Sequence, residues 1–126
     1  LSIQLSHLSS FRGPLHTEVL FRFFERHLAP SGVLVFTTHG QYVADRIRSR
    51  EKTYGLNEMG ADNLISDFEK SGFAFQTYPD SADYGISIAT PSVVSGIIEK
   101  QQHLEQILFL KRGWLRHQDA FACVMT

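Results

Sequence analysis

Three histidines stand where side chains could do chemistry. His7 follows the alternating stretch Leu1 to Leu5, His39 follows the apolar run Val33 to Phe36 and two threonines, and His117 lies in the tight connection before Ala120. An imidazole titrates near neutral pH, so it can take a proton from a reacting group. Ser6, Thr38, Trp114, Gln118 and Asp119 flank these histidines and are the candidate substrate-binding residues. If the strands before them run parallel, their carboxyl ends share one edge, and open α/β sheets bind ligands at that edge. Each residue also has a purely structural alternative. His7 or His39 could bond a backbone carbonyl, His117 and Asp119 could lock a hairpin, and Trp114 could be a core or hinge aromatic. His27 reads as structural, His16 and His103 as surface residues, and Cys123 as a buried, inert thiol.

The elements that must position these groups follow from hydrophobic periodicity. Leu1, Ile3 and Leu5 alternate with polar residues, which predicts a strand. Leu15, Val19, Leu20, Phe23, Phe24, His27 and Leu28 predict one face of a helix from Pro14 to about Ala29, ended by Pro30. Val33 to Phe36 predicts a buried strand, so the first forty residues read as strand, helix and parallel strand. Gln41 to Gly60 has no clean period and suggests a short helix and a mobile loop. Asp62 can cap a helix that Gly72 ends. Phe73 to Tyr78 and Tyr84 to Ala89 predict a hairpin across the turn Pro79 to Asp83. Thr90 and Pro91 open a helix to about Gln101. Leu104 to Arg112 and Ala120 to Met125 predict two strands, antiparallel if they pair, with the second inside the sheet.

Composition narrows the function. The 126 residues are 43% hydrophobic and 20% charged with a net charge of -1, as in an ordinary globular domain. That charge predicts no nucleic-acid partner and no membrane partner. A single cysteine excludes an internal disulfide and suits a cytoplasmic location. No G-x-G-x-x-G, Walker A loop or G-x-S-x-G elbow occurs, and the histidines and cysteine lack zinc spacing, so no metal site is expected.

Three stretches, taken in order, resemble class I S-adenosylmethionine-dependent methyltransferases. Leu5-Ser6-His7-Leu8 is similar to a strand end that one subgroup writes as leucine, threonine, histidine, leucine. Phe24 to Gly40 resembles the family's helix, proline-glycine turn and strand, with Ser31 where the first glycine usually stands. Gly113 to Asp119 resembles a tryptophan, histidine-glutamine-aspartate signature before the last strand, and Tyr84-Gly85-Ile86-Ser87 a further subgroup element. The resemblance implies an α/β chain forming the C-terminal half of a Rossmann-like methyltransferase sheet, parallel strands with an antiparallel last strand. It adds Tyr84 to the candidate substrate-binding residues. It also implies that residues 1–126 are one partial domain, with the strands that hold S-adenosylmethionine outside it.

On this reading the chain is part of a transferase moving a methyl group to a small-molecule or glycan-related acceptor, with His7, His39 and His117 as candidate catalytic bases. Leu1 in place of methionine, directly on strand-like residues, supports the expectation of a fragment that is inactive alone. The alternative is a non-catalytic α/β interaction module, a degenerate half-domain whose open sheet edge would pair with a partner or form a homo-oligomer. Part of a glycosyltransferase is a third reading, carried by fold analogy alone.

Overall fold

The structure, a computed structural model, describes residues 2–5, 14–81 and 84–126. Candidates Ser6 and His7, the loop before Pro14 and Asp83 of the predicted hairpin turn lie outside the described residues. The elements run β1 (Ser2–Leu5), α1 (Pro14–His27), β2 (Val33–Thr38), α2 (Gln41–Ser49), α3 (Glu58–Ser71), β3 (Phe73–Thr77), β4 (Gly85–Ala89), α4 (Pro91–Glu99), β5 (Leu104–Trp114) and β6 (Gln118–Met125). Among the described residues, no helix is long and apolar enough to cross a membrane.

The expected Rossmann-like sheet of parallel strands is corrected by the strand pairing, which is chiefly antiparallel. β1, β2, β6 and β5 form one sheet in that order, and β3 and β4 form a separate two-stranded sheet. β1 pairs parallel to β2, but β2 with β6, β6 with β5, and β3 with β4 are all antiparallel. The reason is local. The connections within β3–β4 and β5–β6 are too short for a crossover, so each pair folds as a hairpin. β6 then separates β2 from β5, and the result is a mixed α/β fold.

Two cores hold these layers. Phe21 and Phe24 of α1, Leu28 just past its end, and Val94, Ile97 and Ile98 of α4 cover Leu34, Phe36, Phe121 and Cys123 of the sheet. The rings of Phe21 and Phe121 each lie 5.1 Å from that of Phe36. In the second core, Val43, Ala44 and Ile47 of α2 and Ala61, Leu64, Ile65 and Phe68 of α3 pack on Ala74, Ile86 and Ile88 of the hairpin. The cores are joined where the Ala89 amide donates to the His39 carbonyl at 2.9 Å and the Thr90 amide to that of Gly72 at 2.8 Å.

Two helical expectations change. The buried face of α1 runs through Thr17, Phe21 and Phe24 and continues to Leu28 just past its end, whereas Val19, Phe23 and His27 are exposed. His27 accordingly stacks on Phe23 outside the core. Helix α3 starts earlier than Asp62 predicts, because Asn57 takes the cap and accepts from the Gly60 amide at 2.8 Å. Gly72 ends α3 with a left-handed φ of 77°, and Thr90 caps α4 through the Val93 amide at 3.2 Å, both as expected.

Candidate functional site

β2 delivers Thr37, Thr38 and His39 to its carboxyl end. There they meet the hairpin turn that carries His117, Gln118 and Asp119, because Thr37 pairs with Ala120 and Thr38 with Asp119. Partners in an antiparallel register share a face and alternate along each strand. Thr38 and Asp119 therefore share the face of Phe36 and Phe121, while Thr37 and Gln118 point to the other.

On that other face Thr37 donates its hydroxyl proton to Gln118 Oε1 at 2.5 Å. This fixes the amide, so its nitrogen donates to His39 Nε2 at 3.2 Å. His39 is thereby held with Nε2 as an acceptor. The His117 ring lies 6.2 Å from that of His39, edge to face. Two tyrosines complete the surround: Tyr42 from α2 at 5.4 Å from His117, and Tyr54 from the loop before α3 at 5.5 Å. The Tyr54 hydroxyl lies 2.9 Å from His117 Nε2, and Arg46 donates to the same hydroxyl at 3.4 Å.

Burial, followed by the nearby charges of Arg46, Lys52 and Arg112, holds the His117 imidazole below its ordinary pKa. Burial also raises the Tyr54 phenol above its own, Arg46 acting against it. Both shifts fix the proton: the phenol keeps it and donates to a neutral imidazole. A neutral histidine near physiological pH is the form that accepts a proton.

Asp119 has a different role from the one its motif suggests. It is buried, its Oδ1 accepts the Arg112 amide at 3.0 Å, and its carboxylate lies against Gly40 at the head of α2. It ties the β5–β6 turn to that helix and does not face the imidazoles. Of the six non-glycine residues with positive φ among the described residues, Tyr54, Leu115 and Arg116 lie in the two loops that carry Tyr54 and His117, and Arg112 near the end of β5 that leads into the second loop. Such backbone conformations are uncommon outside glycine and cluster where a structure holds a side chain in a required place.

Of the sequence candidates, His39, His117 and Gln118 therefore meet. Thr38 is buried on the opposite face, and its hydroxyl has no hydrogen-bond partner among the described residues. Trp114 is an exposed end of β5 whose carbonyl accepts the His117 amide at 3.0 Å, so it is neither a core aromatic nor a wall of this cluster. Tyr84 is exposed just ahead of β4, about 16 Å of extended chain from the Ala89 end that touches His39. Sequence reasoning missed Thr37, Tyr42, Arg46, Lys52, Tyr54 and Arg112. Tyr42 and Arg46 stand at the i, i+4 spacing of one helix face, a signal present in the sequence. Among the described residues, no three of histidine, cysteine, aspartate and glutamate gather as a metal site.

Compared with family models, curated proteins and solved structures, the chain matches none.

Proposed function

We propose that the chain forms the acceptor side of a cytoplasmic S-adenosylmethionine-dependent methyltransferase acting on a small molecule. One observation carries this reading. Two of the stretches that resemble the family, one ending at His39-Gly40 and one at His117-Gln118-Asp119, lie 79 positions apart at His39 and Gln118, yet these two side chains meet at 3.2 Å. Methyl transfer is a direct displacement, so a protein contributes mainly alignment and removal of the acceptor's proton. His117 serves the second task through Tyr54: the acceptor's proton passes to the phenol oxygen as the phenol's own proton passes to His117 Nε2, 2.9 Å away. Gln118 orients His39.

The described residues suit the acceptor and not the cofactor's sulfonium. Arg46, Lys52 and Arg112 surround the imidazoles and would repel a cation. The cofactor's own binding residues are expected upstream of Leu1.

The test is calorimetric titration with S-adenosylhomocysteine of residues 1–126 and of a chain extended by the residues encoded ahead of Leu1. Binding by the longer chain alone supports the reading. Binding by residues 1–126 alone overturns the acceptor-side assignment. Binding by neither overturns methyl transfer and favours an interaction module, whose supporting observation is the edge strand β5 with exposed Ile107, Leu108 and Leu110.

A further inference from the structure

Positive charge from three separate stretches collects beside the two imidazoles. The Arg46 guanidinium carbon lies 5.5 Å from the centre of the Tyr42 ring and 5.9 Å from that of Tyr54. The Lys52 ammonium lies 5.1 Å from the Tyr54 ring centre, and the Arg112 guanidinium carbon 3.9 Å from that of Tyr42. All three act electrostatically on His117.

Little in the cluster balances them. Among the described residues, Glu51 is the one carboxylate near Arg46, its Oε2 3.7 Å from Arg46 Nε, longer than a hydrogen bond. Among the described residues neither Lys52 nor Arg112 has an ion-pair partner. Asp119 turns its Oδ1 to the Arg112 backbone amide, and Arg112 Nε donates to the Arg116 carbonyl at 2.7 Å. Arg46 Nε is buried with no hydrogen-bond partner among the described residues. A buried cationic N–H whose nearest carboxylate is beyond hydrogen-bond reach is costly, and like charges set around the same two tyrosine rings repel. An oxyanion between them would relieve both. The tyrosine rings meanwhile hold the cations in place through their π faces.

We infer that Arg46, Lys52 and Arg112 form a binding site for an anionic oxygen group, a carboxylate or a phosphate, beside His39 and His117. A guanidinium presents paired donors that match either group, and lysine adds a point charge. That this group belongs to the methyl acceptor rests on the function proposed above; the site itself rests on its geometry. An acidic acceptor seated here would have its charge opposed while His117 stands ready to take a proton through Tyr54.

The experiment follows the His117 and Tyr54 ring signals by NMR as sodium phosphate, sodium acetate or sodium chloride is added at matched ionic strength. Saturable shifts with phosphate or acetate, absent with chloride, are expected. Bound anion should also raise the His117 pKa, since it opposes the three cations. Saturation by phosphate alone points to a phosphorylated ligand, by acetate alone to a carboxylic acid. Arg46→Gln and Arg112→Gln should each weaken the anion about tenfold or more. Lys52→Gln, at an exposed position that does not threaten folding, should weaken it severalfold. Shifts equal in chloride would mean screening only and overturn the site, as would saturable binding unchanged in Lys52→Gln and the arginine variants. This titration needs no S-adenosylhomocysteine, so its failure and the failure of the methyl-transfer reading are separate results.

Discussion

The Tyr54 hydroxyl lies 2.9 Å from Nε2 of His117, a residue 63 positions further along the chain. The contact joins the loop after α2 to the β5–β6 turn, and through Gln118 to His39 and the end of β2.

This contact makes stability depend on pH with a defined sign. The folded pKa of His117 is lowered, so between that value and the ordinary one the unfolded chain binds more protons. The stabilisation from His117 is thus fully present above about pH 6.5 and is lost as pH falls through the lowered folded value. Thermal melts between pH 4 and 8 should show this loss, and His117→Gln should remove it from the difference curve. Tyr54→Phe should cost about 1 kcal/mol and move the His117 pKa, followed by NMR, back toward its ordinary value. A His117 pKa at or above the ordinary value in the parent chain would contradict the assignment of the proton.

Two glycines should respond in opposite directions to alanine. A Cβ on Gly40 would strike the buried Asp119 carboxylate, and Gly40→Ala should destabilise by roughly 1–3 kcal/mol in urea unfolding. Gly96 sits within α4 with open space around its Cβ position, so Gly96→Ala should stabilise by about 0.5–1 kcal/mol. Equal effects at the two positions would refute the close approach of Asp119 to α2.

Cys123 has no exposed surface, and burial pushes its thiol pKa up to about 12. Reaction with iodoacetamide at pH 7.5 should be negligible in the folded chain and rapid in denaturant, since the thiolate is the nucleophile. Fast labelling without denaturant would show that β6 is not held between β2 and β5.

Phe36 is fully buried between the rings of Phe21 and Phe121. Phe36→Ala should cost about 3–5 kcal/mol, measured as a shift of the urea midpoint. A loss below about 1 kcal/mol would place the main core elsewhere.

Much of the element order was legible in the sequence because strand runs, caps and hairpin turns are local. Thr90-Pro91 announced α4, and the short Gly113 to Gln118 connection announced the final hairpin. Strand direction across the whole sheet was not legible, since it depends on where β6 inserts. The apolar spacing in α1 fits two neighbouring faces equally well, one through Leu20, Phe24 and Leu28 with Val19 and Phe23, the other through Thr17, Phe21, Phe24 and Leu28; packing on the sheet selects the second. At the site, His39, His117 and Gln118 were visible as polar groups at strand ends. Thr37 and Thr38 could not be told apart until the register fixed which face each takes. The cations were hidden because a charged residue in an aperiodic stretch reads as surface until something folds over it.

Among the described residues, β6 follows every other strand in the sequence and lies between β2 and β5 in the sheet. Its pairing partners on β2 lie some eighty to ninety positions earlier. Closing such a loop costs entropy before any contact repays it, so this pairing belongs to the slow part of folding. The second core, built from neighbouring segments, can form beforehand. His39 and His117 therefore meet only when the sheet closes. A chain caught before that moment has α2, α3 and their hairpin in place, but leaves β2 and β5 open to strands of other molecules.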